Sequence, residues 1–226
     1  MQSSFTDICS GVDNAVEMNI VTSTGEYLTV NSHQHPDLFW ALRGGGGGTY
    51  GVLTSVTYQT HPSFPLTAVF VGSNSSNTNT MRKLFREFVR IHPALSDAGF
   101  GGYGSMINNN LNWFVISNGT ETTTNRTLNS FFEYAQNLTS EGLNLLVNVT
   151  TYDSFFGFYE DLFAPGPDIE GGLVEIGSRL IPRKSFETDF KRLADTLFDL
   201  NGGVNWKYVC QSLHRVSAHL SSQSVS

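Results

Sequence analysis

Three observations predict an α+β fold. Apolar residues alternate with polar ones over short stretches bounded by turn residues, the period of half-buried strands. Three segments instead repeat at i, i+3, i+4 and i+7, the period of amphipathic helices. From residue 66 these elements run β-α-β-β-α-β, the split βαβ or ferredoxin-like order, in which helices back an antiparallel sheet. A hydrophobic share of 39% with 15% charge is enough to build a core.

Val16, Met18 and Ile20 alternate with Glu17 and Asn19 and predict a strand with one buried face. Ser23 to Glu26 turns the chain, and Tyr27 to Val30 returns as the hairpin partner. Asn31 to Pro36 reads as a loop, Asp37 to Leu42 as a helical turn carrying an apolar cluster of Phe39, Trp40 and Leu42, and Val52 to Tyr58 as a third strand. Three strands do not bury their own apolar faces, so the first unit is expected to begin in mid-fold. His61 to Pro65 breaks the pattern and sets a boundary, giving segments 1–62, 63–203 and 204–226.

Leu66 to Gly72 is the next strand, and Met81, Leu84, Phe85, Phe88 and Val89 mark a helix. Gly102 to Ile107 and Leu111 to Ser117 form a hairpin across Asn108 to Asn110. Leu128, Phe131, Phe132, Ala135 and Leu138 mark a second helix, and Leu143 to Thr151 the fourth strand of the motif. Tyr152 to Phe163 is read as a loop with six aromatics, either a wedge into the core or part of a ligand-pocket wall. Leu173 to Ile181 reads as a strand, and Phe186, Phe190, Leu193, Leu197 and Phe198 as a third helix, with Ser185 as N-cap and Gly202 as its stop. Residues 204–226 show no period and are expected to be an irregular tail, leaving both ends of the chain cut.

A net charge of −7 disfavours nucleic acid as a partner. No apolar run reaches the ~18 residues of a membrane span, and Met1 to Ser10 lacks the pattern of a signal peptide. Cys9 and Cys210 make no disulfide framework. Five N-glycosylation triplets begin at Asn74, Asn118, Asn125, Asn137 and Asn148. A chain this rich in Asn, Ser and Thr carries roughly 3 to 4 by chance. The excess is small and leans towards a secretory origin.

Gly44 to Gly48 is the sharpest local signal. Ordered flanks argue against a linker, so a bulky partner is expected against this backbone. Gly46, Gly48 and Gly51 match G-x-G-x-x-G, but the helix precedes and the strand follows, the reverse of a dinucleotide fingerprint. His33 and His35 lack the further ligands of a metal site, so no metal is expected. No Gly-x-Ser-x-Gly elbow is present. Tyr103 and Trp113 are read as facing each other across the hairpin, their polar tips serving either a substrate or the core.

The stretch Asp37-Leu38-Phe39-Trp40-Ala41-Leu42-Arg43, five glycines, then Thr49-Tyr50-Gly51-Val52-Leu53-Thr54-Ser55-Val56-Thr57, closing at Thr60-His61-Pro62, resembles the berberine-bridge-enzyme-like branch of FAD-linked oxidoreductases. These carry a PCMH-type (vanillyl-alcohol-oxidase-like) flavin domain. Gly11 to Thr22 with Gly25-Glu26 is similar to the strand pair preceding that loop, and Gly177 to Arg183 to part of the substrate domain. The resemblance implies the C-terminal part of a flavin domain followed by most of a substrate domain. It implies FAD as cofactor, hydride transfer from a small organic substrate, oxygen as reoxidant, and secretion. By position it places Gly51, Val52 and Leu53 beside the FAD, with Asp13 and Asn14 as further candidates. The family's flavin-tethering histidine and its returning C-terminal segment have no counterpart here, so no catalytic base is assigned and the chain alone is expected to be inactive. The alternative is an inactive truncated product, or a ligand-binding remnant of that family.

Overall fold

The computed structural model describes residues 11–162 and 180–200 and the backbone of 206–210. The chain divides into two compact units, 1–62 and 63–226.

In the first unit, β1 (Ala15–Thr22) pairs antiparallel with both β2 (Tyr27–Asn31) and β3 (Gly51–Tyr58), in the order β2-β1-β3. A short helix, α1 (Pro36–Leu42), connects β2 to the glycine run. Pro36 presets the first helical turn, and Asp37 favours its N-terminal end. Met18, Ile20, Val30 and Phe39 form the core, with Leu28, Leu38, Leu42 and Val56 packed around it. Two expectations change here. A register shift between Ala15 and Glu17 puts Ala15 inside and leaves Val16 exposed, because a bulge resets the alternation. Trp40 lies on the solvent side of α1 while Phe39 is buried, so the helical turn carries no three-residue apolar cluster.

In the second unit, β4 (Leu66–Asn74), β5 (Gly101–Ile107), β6 (Asn110–Ser117) and β7 (Asn144–Tyr152) take the order β7-β4-β6-β5, all neighbours antiparallel. This is the spatial order of a split βαβ fold. Helices α2 (Thr78–Asp97), α3 (Glu121–Leu138) and α5 (Arg183–Asp199) supply the apolar residues that cover one sheet face. Asn77 caps α2 through the Asn79 N–H, and Thr120 caps α3 through the Thr123 N–H. Leu84, Leu128 and Phe131 are fully buried, each contributing roughly 1.5–3 kcal/mol.

Four differences from the sequence reading stand out. Phe155–Leu162 is a helix, α4, because its aromatics need one packed face and Phe158 supplies it. α5 starts at Arg183 with Pro182 as N-cap, and Ser185 is already helical, its N–H donating to the Pro182 carbonyl. Trp206–Cys210 forms β8 antiparallel to β5, so that part of the 204–226 segment is not irregular. Strand periodicity is hard to see in a stretch as short as Trp206-Lys207-Tyr208-Val209-Cys210. Of the expected strand 173–181, only Leu180 and Ile181 are described, and they are not in a strand. The Gly202 stop and residues 211–226 lie outside the described residues.

Candidate functional site

Each unit presents one surface suited to a ligand. In the first unit it is the glycine loop with β3. The Gly45 N–H donates to the Ala41 carbonyl at 2.8 Å, closing α1. A Cβ at Gly45 would collide with that same carbonyl and with the Tyr50 ring. At Gly51 it would collide with the Val21 carbonyl across the β1–β3 pairing, and φ there is +150°. These two glycines are therefore demanded by the chain's own packing. At Gly44, Gly47 and Gly48 a Cβ would meet nothing within 4 Å. Gly44 and Gly48 hold φ of +141° and +72°, which favours glycine there whatever the space, so Gly47 is the glycine of the run that neither packing nor backbone demands. Beyond the loop, Val52 and Leu53 are 69% and 42% exposed on the edge strand β3.

Asp13 and Asn14 are engaged within the protein. Arg43 donates through Nε to the Val12 carbonyl at 2.9 Å and pairs through Nη2 with Asp13 at 3.2 Å. Its guanidinium also lies 5.1 Å from the Phe39 ring centroid. His61 Nε2 hydrogen-bonds Asn14 Oδ1 at 2.8 Å, and the Gln59 N–H donates to the Asn14 carbonyl. Both candidates brace the strand ends near the loop.

In the second unit the surface is the sheet face opposite α2 and α3. Register sets Tyr103 opposite Phe114 and Trp113 opposite Gly104, so Tyr103 and Trp113 point to opposite faces and do not meet. Trp113 is 4% exposed and packs on Phe88 and Phe131 in the core. Its indole N–H finds no acceptor among the described residues. Tyr103 is 55% exposed on the open face, with its ring 5.6 Å from Phe114. Phe70 lies 5.7 Å from Phe114, and Phe158 of α4 lies 6.5 Å and 6.1 Å from these two. Tyr152 donates to Asp161 Oδ2 at 2.6 Å, and burial together with that bond pushes its phenol up to about 12, so it holds its proton at neutral pH. Phe70, Phe114 and Asp161 are the residues of this face that the sequence reading did not single out. The signal was present in β6, where Phe114 sits between inward-facing Trp113 and Val115.

Tethered to α2 behind this face is His92, whose Nδ1 donates to the Phe88 carbonyl. Its ring stands edge-on to Phe88 and stacks on Phe186 of α5. Burial lowers it to about 4, so it is neutral at physiological pH. A small cavity of about 10 Å³ is lined by His92, Leu95, Gly102, Tyr103 and Trp113 among others. That is room for about one water, and no organic ligand fits there. No helix among the described residues is long and apolar enough to cross a membrane.

A glycine-edged three-stranded unit followed by a split βαβ sheet with one aromatic face defines the class: the fold of VAO-type flavoproteins. VAO-type flavoprotein MtVAO615 from Myceliophthora thermophila superposes with a TM-score of 0.67 at 24% identity, covering 85% of this chain and 36% of that one. An uncharacterised FAD-linked oxidoreductase of Arthroderma benhamiae is 31% identical over 195 residues, 83% of this chain and 34% of its own length. FAD-linked oxidoreductase ZEB1 of Gibberella zeae is 32% identical over 202 residues, 86% and 34% respectively. No family profile matches the chain. The chain belongs to the FAD-linked oxidoreductase family, and it spans about a third of the length of the curated relatives it matches.

A flavin dinucleotide requires backbone free of side chains beside an apolar surface. Gly44, Gly47 and Gly48 provide the first, and exposed Val52 supplies apolar surface on one face of β3 with Leu53 on the other, so the residues present fit part of that cofactor.

Proposed function

We propose that this chain supplies the glycine loop and the aromatic sheet face of an FAD-dependent oxidoreductase of the berberine-bridge-like branch. The observation that carries the reading is the division of the glycine run. Gly45 serves internal packing, Gly44, Gly46 and Gly48 hold positive φ values that favour glycine, and Gly47 faces open space with neither demand, while Val52 and Leu53 a few residues on are exposed. In this reading 1–62 is the C-terminal part of a PCMH-type domain and 63–203 part of its substrate domain. Bound FAD supplies the hydride acceptor, and oxygen is the reoxidant. Gly51 keeps β3 close to β1, the more exposed Val52 excludes water from the cofactor side while Leu53 projects to the other face, and Arg43 holds Asp13 and the β1 approach against the loop.

Tyr103, with Phe114 behind it, offers a flat aromatic surface and one phenol to a small organic substrate. Trp113 is excluded from that pocket by its burial. Asp13 and Asn14 act by bracing the strand ends.

Hydrogen exchange of the chain with and without excess FAD tests the reading. Slowed exchange across Gly44 to Leu53 is expected. Unchanged exchange there, while the rest of the chain stays folded, overturns the assignment of this loop to the cofactor.

A further inference from the structure

Strand β7 ends the order β7-β4-β6-β5-β8, so among the described residues its outer edge meets no further strand. Its sequence, Asn144-Leu145-Leu146-Val147-Asn148-Val149-Thr150-Thr151-Tyr152, contains neither a charge nor a proline. Leu146 is 72% exposed, and Val147 also reaches solvent. Its pairing with β4 runs unbroken from Leu66↔Tyr152 to Asn74↔Asn144, so no bulge twists the edge away. A long, uncharged edge with exposed aliphatics is a template for strand addition by another chain. Soluble proteins blunt such edges with lysine, proline, bulges or cover. β7 has none of the first three.

What β7 has is Asn148-Val149-Thr150, an N-glycosylation triplet. Asn148 is exposed and opposite Phe70, so its side chain leaves the sheet on the same face as Leu146. The other four triplets are placed differently. Asn125 is half-buried within α3, and Asn118 and Asn137 are exposed near its two ends. Asn74 ends β4, where its Oδ1 accepts from Asn144. None of these four stands on an edge strand.

We propose that Asn148 carries an N-linked glycan, acquired in the secretory route, and that this glycan shields the β7 edge against strand addition by a second copy of the chain. The modification joins Asn148 Nδ2 to the anomeric carbon of an oligosaccharide carried on a lipid diphosphate. The N–C bond forms as the C–O bond to the diphosphate breaks, the amide gives up one proton, and the lipid diphosphate leaves. The inference rests on the edge and its triplet alone, and does not depend on the flavin reading.

The test is to secrete the chain from a yeast host behind a host leader, map glycopeptides by mass spectrometry, and follow size exclusion with increasing concentration. Wild type, Asn148→Gln, Asn137→Gln, and Asn148→Gln combined with Leu146→Lys are compared. Asn148 is expected to be occupied. Asn148→Gln should form oligomers at severalfold lower concentration than Asn137→Gln, and the edge lysine should restore the monomer. An unmodified Asn148 overturns the proposal, as does an Asn148→Gln chain that stays monomeric like the wild type. Oligomers that the lysine fails to relieve overturn it as well, since their cause would then lie in lost folding and not in the edge.

Discussion

His92 makes the second unit acid-sensitive by an amount that can be worked out in advance. Its ring is enclosed by Phe88 and Phe186, and burial lowers it from 6.5 to about 4 in the folded chain. In the unfolded chain it takes up a proton as the pH falls through the usual histidine range, whereas in the folded chain it resists until about pH 4. Between those values the unfolded state binds more protons, so stability falls with pH and then levels off for this group. Each pKa unit is worth about 1.4 kcal/mol, which amounts to a loss of about 2.5 kcal/mol between pH of about 7.5 and 4.5. Carboxylates titrate near the lower end, so the His92 share is read as a difference from His92→Phe, which keeps an aromatic ring against Phe186. Urea unfolding of both proteins across that pH range, followed by tryptophan fluorescence, measures it. The wild type should lose about 2.5 kcal/mol more than the variant. Identical pH slopes would falsify the burial argument, because they would mean that His92 is as accessible to protons folded as unfolded.

Substituting glycines one at a time should split the run. Gly45→Ala and Gly51→Ala should each destabilise the first unit by about 2 kcal/mol or more, while Gly47→Ala stays within about 0.5 kcal/mol, as read by hydrogen exchange across β1 and β3. Asp195 accepts from Arg86 Nε and Nη2, each at 2.7 Å, and from Arg82, tying α5 to α2. These groups are about one-third exposed, so Asp195→Asn should cost only about 1 kcal/mol, and the difference from wild type should shrink in high salt in a urea titration. Arg86 holds the Asp195 carboxyl below its usual range, so this contribution is present at neutral pH and fades as acid protonates the group. On the proposed reading, Tyr103→Ala should weaken binding of an aromatic or ring-shaped ligand severalfold in a titration and leave the melting temperature within about 2 °C, because the ring is half in solvent.

Most of the second unit was legible because its helices carry strong periodicity. Met81, Leu84, Phe85, Phe88 and Val89 predicted α2, and all five are buried. What was lost depended on context beyond local pattern. The bulge at Ala15–Glu17 moved Val16 outside, although an alternation rule has no term for a bulge. Phe155 to Leu162 looked like a loop because Gly157 and a crowd of aromatics obscure its period, and the helix is fixed by Phe158 docking on Phe70, Phe114 and Tyr152. β8 is recognisable only through its pairing with β5, which no stretch of five residues announces.

The candidate site shows a different limit. In the sequence Gly44 to Gly48 is one signal, and the natural inference is one cause. The structure separates two causes within it. Gly45 is excluded from carrying a Cβ by Ala41 and Tyr50, residues of the loop's own neighbourhood, whereas Gly47 faces open space. A glycine required by the fold says nothing about a ligand; a glycine that the fold does not require is the informative one. The same distinction divides Tyr103 from Trp113, which the sequence paired and the β5–β6 register sends to opposite faces. Gly102 and Gly104 show why. A Cβ at Gly102 would run into the Phe114 carbonyl and the Val115 backbone of β6, and one at Gly104 would press on the Trp113 Cβ, so Gly104 makes room for Trp113 on the core side while Tyr103 is the strand's exposed aromatic on the other. Residue type identified the candidates, but only register and local clearance tell which of them a ligand can reach.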